Sequence, residues 1–238
     1  MVNQRPNFQD THQNFKSGRR ATRVALGLLV AIGLAACATG PKNPLTAQQI
    51  ASLDIDTVEV TVFPGTLISW GAGEEAYAKT QGCEPPEVES EVGDTYNTAA
   101  AETKPQDCDY EAIVSSPEAQ EFMANRVKEL LEKDLRAQLV SRFEGTTPAR
   151  VEVTIQKVQV VGGGQTLLVG GSHFLLAPLN VVDEQSGKIV AANPELLALA
   201  GTPSGGILGL IIEAASADPV ERLTSTYAAN AGNWIGGN

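Results

Sequence analysis

The chain has 238 residues, of which 42% are apolar and 19% are charged, and its formal net charge is −11. This length allows one domain of ordinary size or two small ones, and the apolar fraction can build a hydrophobic core, which argues against global disorder. Aromatic residues make up only 5% of the chain, so the core must consist mainly of Val, Leu, Ile and Ala.

Residues 1–36 have the pattern of a signal peptide that is removed on export. A basic stretch over residues 16–23 precedes an uncharged apolar run over residues 24–36. That run is too short to cross ~30 Å of hydrocarbon as a helix, which takes about 20 residues. It ends in Leu34-Ala35-Ala36-Cys37, which resembles the lipobox of bacterial lipoproteins. The alternative is a buried core helix with a chance cysteine, which the coincidence of these features disfavours.

The lipobox resemblance implies that Cys37 is acylated and becomes the first residue of the mature protein. Ala38 follows it in place of the aspartate that favours inner-membrane retention, which implies the periplasmic face of the outer membrane. Arg19-Arg20 suggests a twin-arginine signal, but residues 21–23 lack the apolar pair expected next, so the general secretory route is favoured. Several acyl chains insert far more firmly than a single chain, which gives only marginal binding.

Removal of residues 1–36 leaves a strongly acidic chain. It takes away five basic residues and one acidic residue, so that 12 basic and 27 acidic residues remain, a net charge of −15. Phosphate binding needs clustered Lys and Arg, so nucleic acid is not an expected partner. Anionic headgroups should repel such a chain, and its contact with the membrane is therefore expected through the lipid anchor.

Cys83 and Cys108 are the cysteines left beside Cys37, an even pair that suits a disulfide in an oxidising compartment. They enclose an acidic loop with seven carboxylates, opposed only by Lys104. A zinc site is the alternative, but the spacing lacks the close pairs that zinc ligands form. A calcium loop is also conceivable, although the acids do not follow the Asp-x-Asp-x-Asp-Gly pattern. A solvated, self-repelling loop is the preferred interpretation, and we expect no metal or cofactor.

The mature chain divides into a tether over residues 37–53 and a single periplasmic domain over residues 54–238. Glycine and proline disfavour regular structure in the tether up to a short helix over residues 45–53. Strict alternation of apolar and polar residues over 56–62 predicts a half-buried strand. Residues 71–109, which contain the cysteine-bracketed loop, are interpreted as an insertion.

Two long helices are predicted in the domain. The first covers residues 116–143, where Ser116-Pro117 supplies a cap and a first helical residue and apolar residues recur at spacings of three to five. Such a stripe could bind a partner helix, but packing against a sheet is the more common use. The second helix covers residues 218–235 and begins with Asp218-Pro219 in a start of the capping-box type.

Three strands are predicted between residues 150 and 192. The alternation slips near Lys157, which is consistent with a bulge. Pro178 interrupts a long apolar strand and places it at an edge or on a bend. Gly187 follows an acidic pair and supplies the positive φ of a hairpin turn.

An apolar, glycine-rich run covers residues 205–212. It could insert into a bilayer or hold an apolar ligand. A buried segment or a connector is the preferred interpretation.

Two neighbouring motifs carry a resemblance to a family. They are Val169-Gly170-Gly171-Ser172-His173 and Leu179-x-Val181-x-Asp183-x-x-Ser186-Gly187. Together they resemble a family of uncharacterised proteobacterial lipoproteins, over roughly residues 55–63 and 112–235. The resemblance implies an envelope location and a mixed α+β fold but no activity, and the cysteine-bracketed loop departs from the family pattern.

His173 is the only histidine of the mature chain, so any serine or cysteine nucleophile with a histidine base must use it. Gly170 and Gly171 could bring backbone N–H groups close to a ligand or partner. Against catalysis, no Gly-x-Ser-x-Gly elbow occurs, and alternation places His173 on an apolar strand face, where a hydrogen-bonded structural role is usual. Paired carboxylates for glycoside hydrolysis stay open, but nothing singles out a pair.

The sequence therefore predicts an α+β fold, with a mainly antiparallel sheet of about four strands and two helices packed on one face. We expect a non-catalytic outer-membrane lipoprotein, an adaptor or assembly factor that contacts another envelope protein. The alternative is a hydrolase that acts on an envelope polymer through His173.

Overall fold

The structure is a computed structural model that describes residues 41–86, 108–160, 172–201 and 218–237. Cys37, Gly170, Gly171 and the apolar run over 205–212 lie outside these ranges. The described residues form an α+β fold, as predicted. Its elements are α1 (Ala47–Ser52), β1 (Leu53–Val62), β2 (Ile68–Trp70), α2 (Gly71–Thr80), α3 (Tyr110–Val114), α4 (Pro117–Leu139), β3 (Thr147–Ile155), β4 (Lys157–Val160), β5 (Ser172–Leu176), β6 (Leu179–Asp183), β7 (Ile189–Asn193), β8 (Leu197–Gly201) and α5 (Pro219–Ile235).

The strands form two four-stranded sheets with matching orders, β1-β3-β6-β7 in the first sheet and β2-β4-β5-β8 in the second. Consecutive strands of the chain hold corresponding places in the two sheets, so β1 leads into β2, β3 into β4, β5 into β6 and β7 into β8. Four stretches of the chain thus each contribute one strand to each sheet. The β1–β3 and β2–β4 pairs are parallel, and the other four pairs are antiparallel. The prediction of a mainly antiparallel arrangement is confirmed, but the strands belong to two sheets instead of one.

The division between the sheets falls where the sequence pattern is interrupted. The amide of Thr154 donates to the carbonyl of Pro178 at 3.1 Å, and the amide of Gln156 donates to the carbonyl of Leu176 at 3.0 Å. Pro178 cannot donate to a ladder, and it lies between β5 and β6, where the chain passes from the second sheet to the first. The slip near Lys157 is the point at which β3 ends and β4 begins in the other sheet.

Helices α4 and α5 pack their apolar side chains on the same side of the two sheets. Helix α4 contacts β1 and β2, whereas α5 contacts β5 and β8, and the two helices also pack on each other. The Ser116 and Asp218 side chains cap them by accepting from the amides of Ala119 and Val220, as the sequence predicts. One continuous core results, which includes Val58, Val60, Val151, Val153, Leu131, Leu135, Leu175, Leu179, Leu223 and Tyr227.

Residues 71–109 contain a helix that the sequence analysis did not predict. Gly71 and Gly73 stand in its first turn, although glycine disfavours a helix. At Gly73 a Cβ would overlap the indole of Trp70, so glycine allows this helix to lie directly on the tryptophan. Cys83 and Cys108 form a disulfide that joins the end of α2 to the start of α3, beside a small second cluster with Ala78 and Val114.

Candidate functional site

In the first sheet, the face opposite the helices is polar over β1, β3 and the start of β6. Its exposed and half-buried side chains there are Thr57, Glu59, Thr61, Arg150, Glu152, Thr154 and Asn180, whereas the edge strand β7 carries Ile189, which is 57% exposed. Arg150 forms an ion pair with Glu152 at 2.7 Å. The Thr61 and Thr154 hydroxyls lie 3.2 Å apart across β1 and β3. These groups satisfy one another or face solvent, as expected for a solvated sheet surface.

On β5 and β8 of the second sheet, the same face is apolar. Phe174 and Leu176 on β5 lie directly opposite Leu199 and Leu197 on β8. Leu197 is 42% exposed and Leu199 is 59% exposed, while Phe174 and Leu176 are half-buried. We call these four residues the apolar patch. Cross-strand neighbours stand about 5 Å apart, so they form one contiguous surface, and exposed contiguous apolar surface marks sites of interaction.

Polar groups border the apolar patch. The Nζ atom of Lys157 lies 4.9 Å from the ring centroid of Phe174, a cation–π contact. On the other side, the Nδ2 atom of Asn230 donates to the carbonyl of Leu197 at 3.0 Å, so α5 satisfies part of the outer edge of β8. This arrangement can bind an apolar surface and orient it.

His173 lies on the opposite side of β5 from the apolar patch. Its side chain is fully buried, and its strand partner is Ala200. Leu175, which follows on the same side of the strand, is buried as well. A general base must reach the proton that it removes from a substrate, and this imidazole has no exposed surface from which to do so. The burial fits the structural role that alternation suggests.

Ionisable groups elsewhere in the described residues bear on catalysis and metal binding. Within the described ranges, no group of three or more His, Cys, Asp or Glu side chains is placed to hold a metal ion. Burial, followed by the nearby Glu111 carboxylate, raises the pKa of Glu74. Burial also raises the pKa of Tyr110, with contributions from Glu75, Glu74 and Glu111. These groups gather at the α2–α3 junction, away from the patch.

A second surface lies at the C-terminal end of α5. There a cavity of about 470 Å³ opens between α1, the turn after α4 and the end of α5. Arg142 lines it and stacks over Phe143, with 5.6 Å from guanidinium carbon to ring centroid. The guanidinium group also packs on α5, because a Cβ at Gly232 or Gly236 would come within 2.9 Å of it.

The sequence analysis did not identify the apolar patch. Leu196-Leu197-Ala198-Leu199 is apolar at every position, so the pattern does not indicate which side of the strand is exposed. None of the helices within the described ranges is long and apolar enough to cross a membrane.

No protein-family model matches the chain, and no curated protein matches it. Among solved structures, it is similar to a protein from Caulobacter crescentus CB15 provisionally named a lipoprotein, with 14% identity and a TM-score of 0.28 over 48% of this chain and 86% of that chain. It is also similar to the PelC dodecamer from Paraburkholderia phytofirmans, with 10% identity and a TM-score of 0.32 over 82% of this chain and 93% of that chain. At these values the likeness defines neither a family nor a function.

Proposed function

We propose that the chain is an envelope lipoprotein that acts without catalysis, as an adaptor or assembly factor that binds another envelope protein. The observation that carries this proposal is the apolar patch on the second sheet. The domain offers an exposed surface suited to a protein partner, while the imidazole of His173 is enclosed in the core.

The anchor in this proposal is an acylated Cys37. It holds the domain at the periplasmic face of the outer membrane. Its support is the basic stretch, the short apolar run and the Leu34-Ala35-Ala36-Cys37 ending of residues 1–37. The Cys83–Cys108 disulfide supports an oxidising compartment. Both features agree with export of the domain from the cytoplasm.

The partner should combine an apolar contact with basic residues that face the acidic chain away from Lys157, the cation at the border of the patch. Phe174, Leu176, Leu197 and Leu199 supply the apolar contact, and the mature chain carries a net charge of −15. Complementary charge raises the rate of encounter and selects among partners, whereas buried apolar and aromatic residues supply most of the affinity. A basic periplasmic protein or the periplasmic portion of a membrane protein fits these requirements.

The test compares two leucine substitutions. Leu199→Glu places a charge at the most exposed leucine of the apolar patch. Leu67→Glu changes an even more exposed leucine, 76% exposed, in the turn between β1 and β2 at the opposite edge of the sheets. Periplasmic cross-linking at native expression should recover a defined partner with the wild type and with Leu67→Glu, and lose at least nine-tenths of it with Leu199→Glu.

Equal recovery from both variants would contradict the assignment of the patch. Cross-links that stay within one chain, or repeated failure to recover any defined protein, would contradict the adaptor function itself. Each charge is added at an exposed position and should leave the fold intact. Circular dichroism of both variants checks that they are folded.

A further inference from the structure

Residues 41–43, at the start of the described chain, are hydrogen-bonded to the C-terminal end of α5. The indole Nε1 of Trp234 donates to the carbonyl of Pro41 at 2.7 Å. The Nδ2 atom of Asn43 donates to the carbonyls of Trp234 and Ile235 at 3.0 and 2.8 Å. The last carbonyls of a helix have no partner within it. Asn43 supplies a partner to Ile235 and a further one to Trp234, whose carbonyl also accepts from the amide of Gly237 at 3.1 Å.

Residues 43–50 are also stabilised by hydrogen bonds among themselves and by packing on the core. The Oδ1 atom of Asn43 accepts from the amide of Leu45 at 2.9 Å, which fixes the turn after it. Thr46 and Gln49 then form a capping box for α1. Leu45 and Ile50 pack against the main core. The folded domain therefore begins at Pro41, well inside the segment that the sequence analysis assigned to the tether.

This early start leaves very little free chain between the domain and the proposed anchor. Pro41 is the fourth residue after Cys37. A fully extended chain spans at most about 3.6 Å per residue, so the carbonyl end of the anchor can stand no more than about 14 Å from Pro41. A linker of this length cannot let the domain turn freely above a bilayer.

We propose that the anchored domain lies on the membrane surface with one end facing the phospholipid headgroups. This membrane-facing end consists of residues 41–46, the turn over residues 142–145 and Gly236-Gly237. The proposal rests on acylation of Cys37, which belongs to the proposed function, and it adds the orientation that the anchor imposes.

The chemistry of this end suits zwitterionic headgroups. Arg142 and Glu144 are both exposed and both line the cavity at the end of α5, so the surface offers a cation for a phosphate and a carboxylate for an ammonium group. Lys42 is also exposed there. The contact thus differs from a basic face that binds anionic lipid, which the net charge of −15 disfavours.

The orientation can be measured with two matched glutamate substitutions. Glu144→Cys lies at the membrane-facing end, and Glu118→Cys lies in the first turn of α4; both positions are exposed. Helix α4 has 23 residues, and at 1.5 Å per residue it separates its two ends by about 34 Å. Each variant is isolated as the full lipidated protein, labelled with a fluorophore and placed in phosphatidylcholine vesicles with a nitroxide quencher on the headgroup.

The label at position 144 should be quenched at least threefold more strongly than the label at position 118. Asn43→Ala in the Glu144→Cys background should reduce that quenching at least twofold, because the freed segment lengthens the linker. Asn125→Ala, the same substitution at an exposed position of α4 outside the membrane-facing end, should leave it unchanged. Equal quenching at the two positions, or no effect of Asn43→Ala, would overturn the orientation.

Mass spectrometry of the same samples separates the two proposals. An acylated Cys37 with equal quenching overturns only the orientation and leaves the anchor standing. A mature protein without fatty acid at Cys37 overturns the anchor, and with it both the proposed function and the orientation. The same spectra verify that Cys83–Cys108 persists in the labelled variants.

Discussion

The hydroxyl of Tyr227 on α5 donates a hydrogen bond to the carbonyl oxygen of Ala177, between β5 and β6. Both residues are fully buried. Ala177 lies where the chain leaves the second sheet and enters the first, and its amide donates to Leu196 at 3.1 Å. Tyr227 thus supplies a partner to a carbonyl at the bend, and it joins the C-terminal helix to the point where the two sheets meet.

Tyr227→Phe should lower the free energy of unfolding by about 1–3 kcal/mol, because a buried carbonyl loses its partner while the ring packing is kept. Urea denaturation at pH 7 measures the change. Tyr77→Phe is the matched control, since the Tyr77 ring packs against Phe122 at a half-buried position, and it should cost less than about 0.5 kcal/mol. Equal losses in both variants would show that the Ala177 contact contributes nothing of its own.

Much of the fold was predictable because local patterns and tertiary packing agree. Alternation at Val151, Val153 and Ile155 matches the buried side of β3. Gly187 has a φ of +68° in a turn where Asp183 accepts from the Ser186 amide and hydroxyl. In these places each residue's own preference points to the structure it adopts.

The parts that could not be predicted depend on contacts distant in sequence. Helix α2 forms although two glycines stand in its first turn, because Trp70 packs closely on Gly73. The division of the strands into two sheets depends on which partners meet at Pro178. The apolar patch on β8 could not be recognised because Leu197 and Ala198 are both apolar, although only Leu197 is exposed.

Gly145→Ala should destabilise the domain by about 1–3 kcal/mol, the usual cost of overpacking. The amide of Gly145 donates to the carbonyl of Leu53 at 2.7 Å, and an added Cβ would overlap the backbone of Ser52. Gly71→Ala is the control, because a Cβ there meets nothing within 4 Å and α-helical backbone favours alanine over glycine. Thermal unfolding should show a lower midpoint for the first variant and an equal or higher midpoint for the second; the reverse order would contradict this packing.

Removal of the Cys83–Cys108 disulfide should cost about 3.5 kcal/mol in the chain-entropy model, since the bridge closes a loop with a sequence separation of 25 residues. The double variant Cys83→Ala/Cys108→Ala measures this in urea, and the wild type in reducing buffer should give a similar loss. The apolar patch lies on other elements, so recovery of the partner from the folded double variant should persist. A loss below about 1 kcal/mol would indicate that the loop is already restrained in the unfolded chain.

Glu74→Gln should stabilise the domain at neutral pH and have no such effect in acid. Burial and the Glu111 carboxylate raise the pKa of Glu74 above its ordinary value of 4.5, so the folded state holds the proton more tightly than the unfolded state. The wild type is therefore relatively more stable below pH 4.5 and loses that advantage as the pH rises through the folded-state pKa.

Glutamine removes this dependence because it carries no charge at any pH. Solvent screening at this partly exposed site keeps the gain at pH 7 below about 0.5 kcal/mol, which paired urea curves at pH 7 and pH 4 can resolve. Glu111→Gln should lower the pKa of Glu74 towards 4.5, and NMR titration of the Glu74 carboxyl measures that shift directly. If Glu74 titrates at the same pH with and without Glu111, the two carboxylates are not coupled and the predicted gain at neutral pH rests on burial alone.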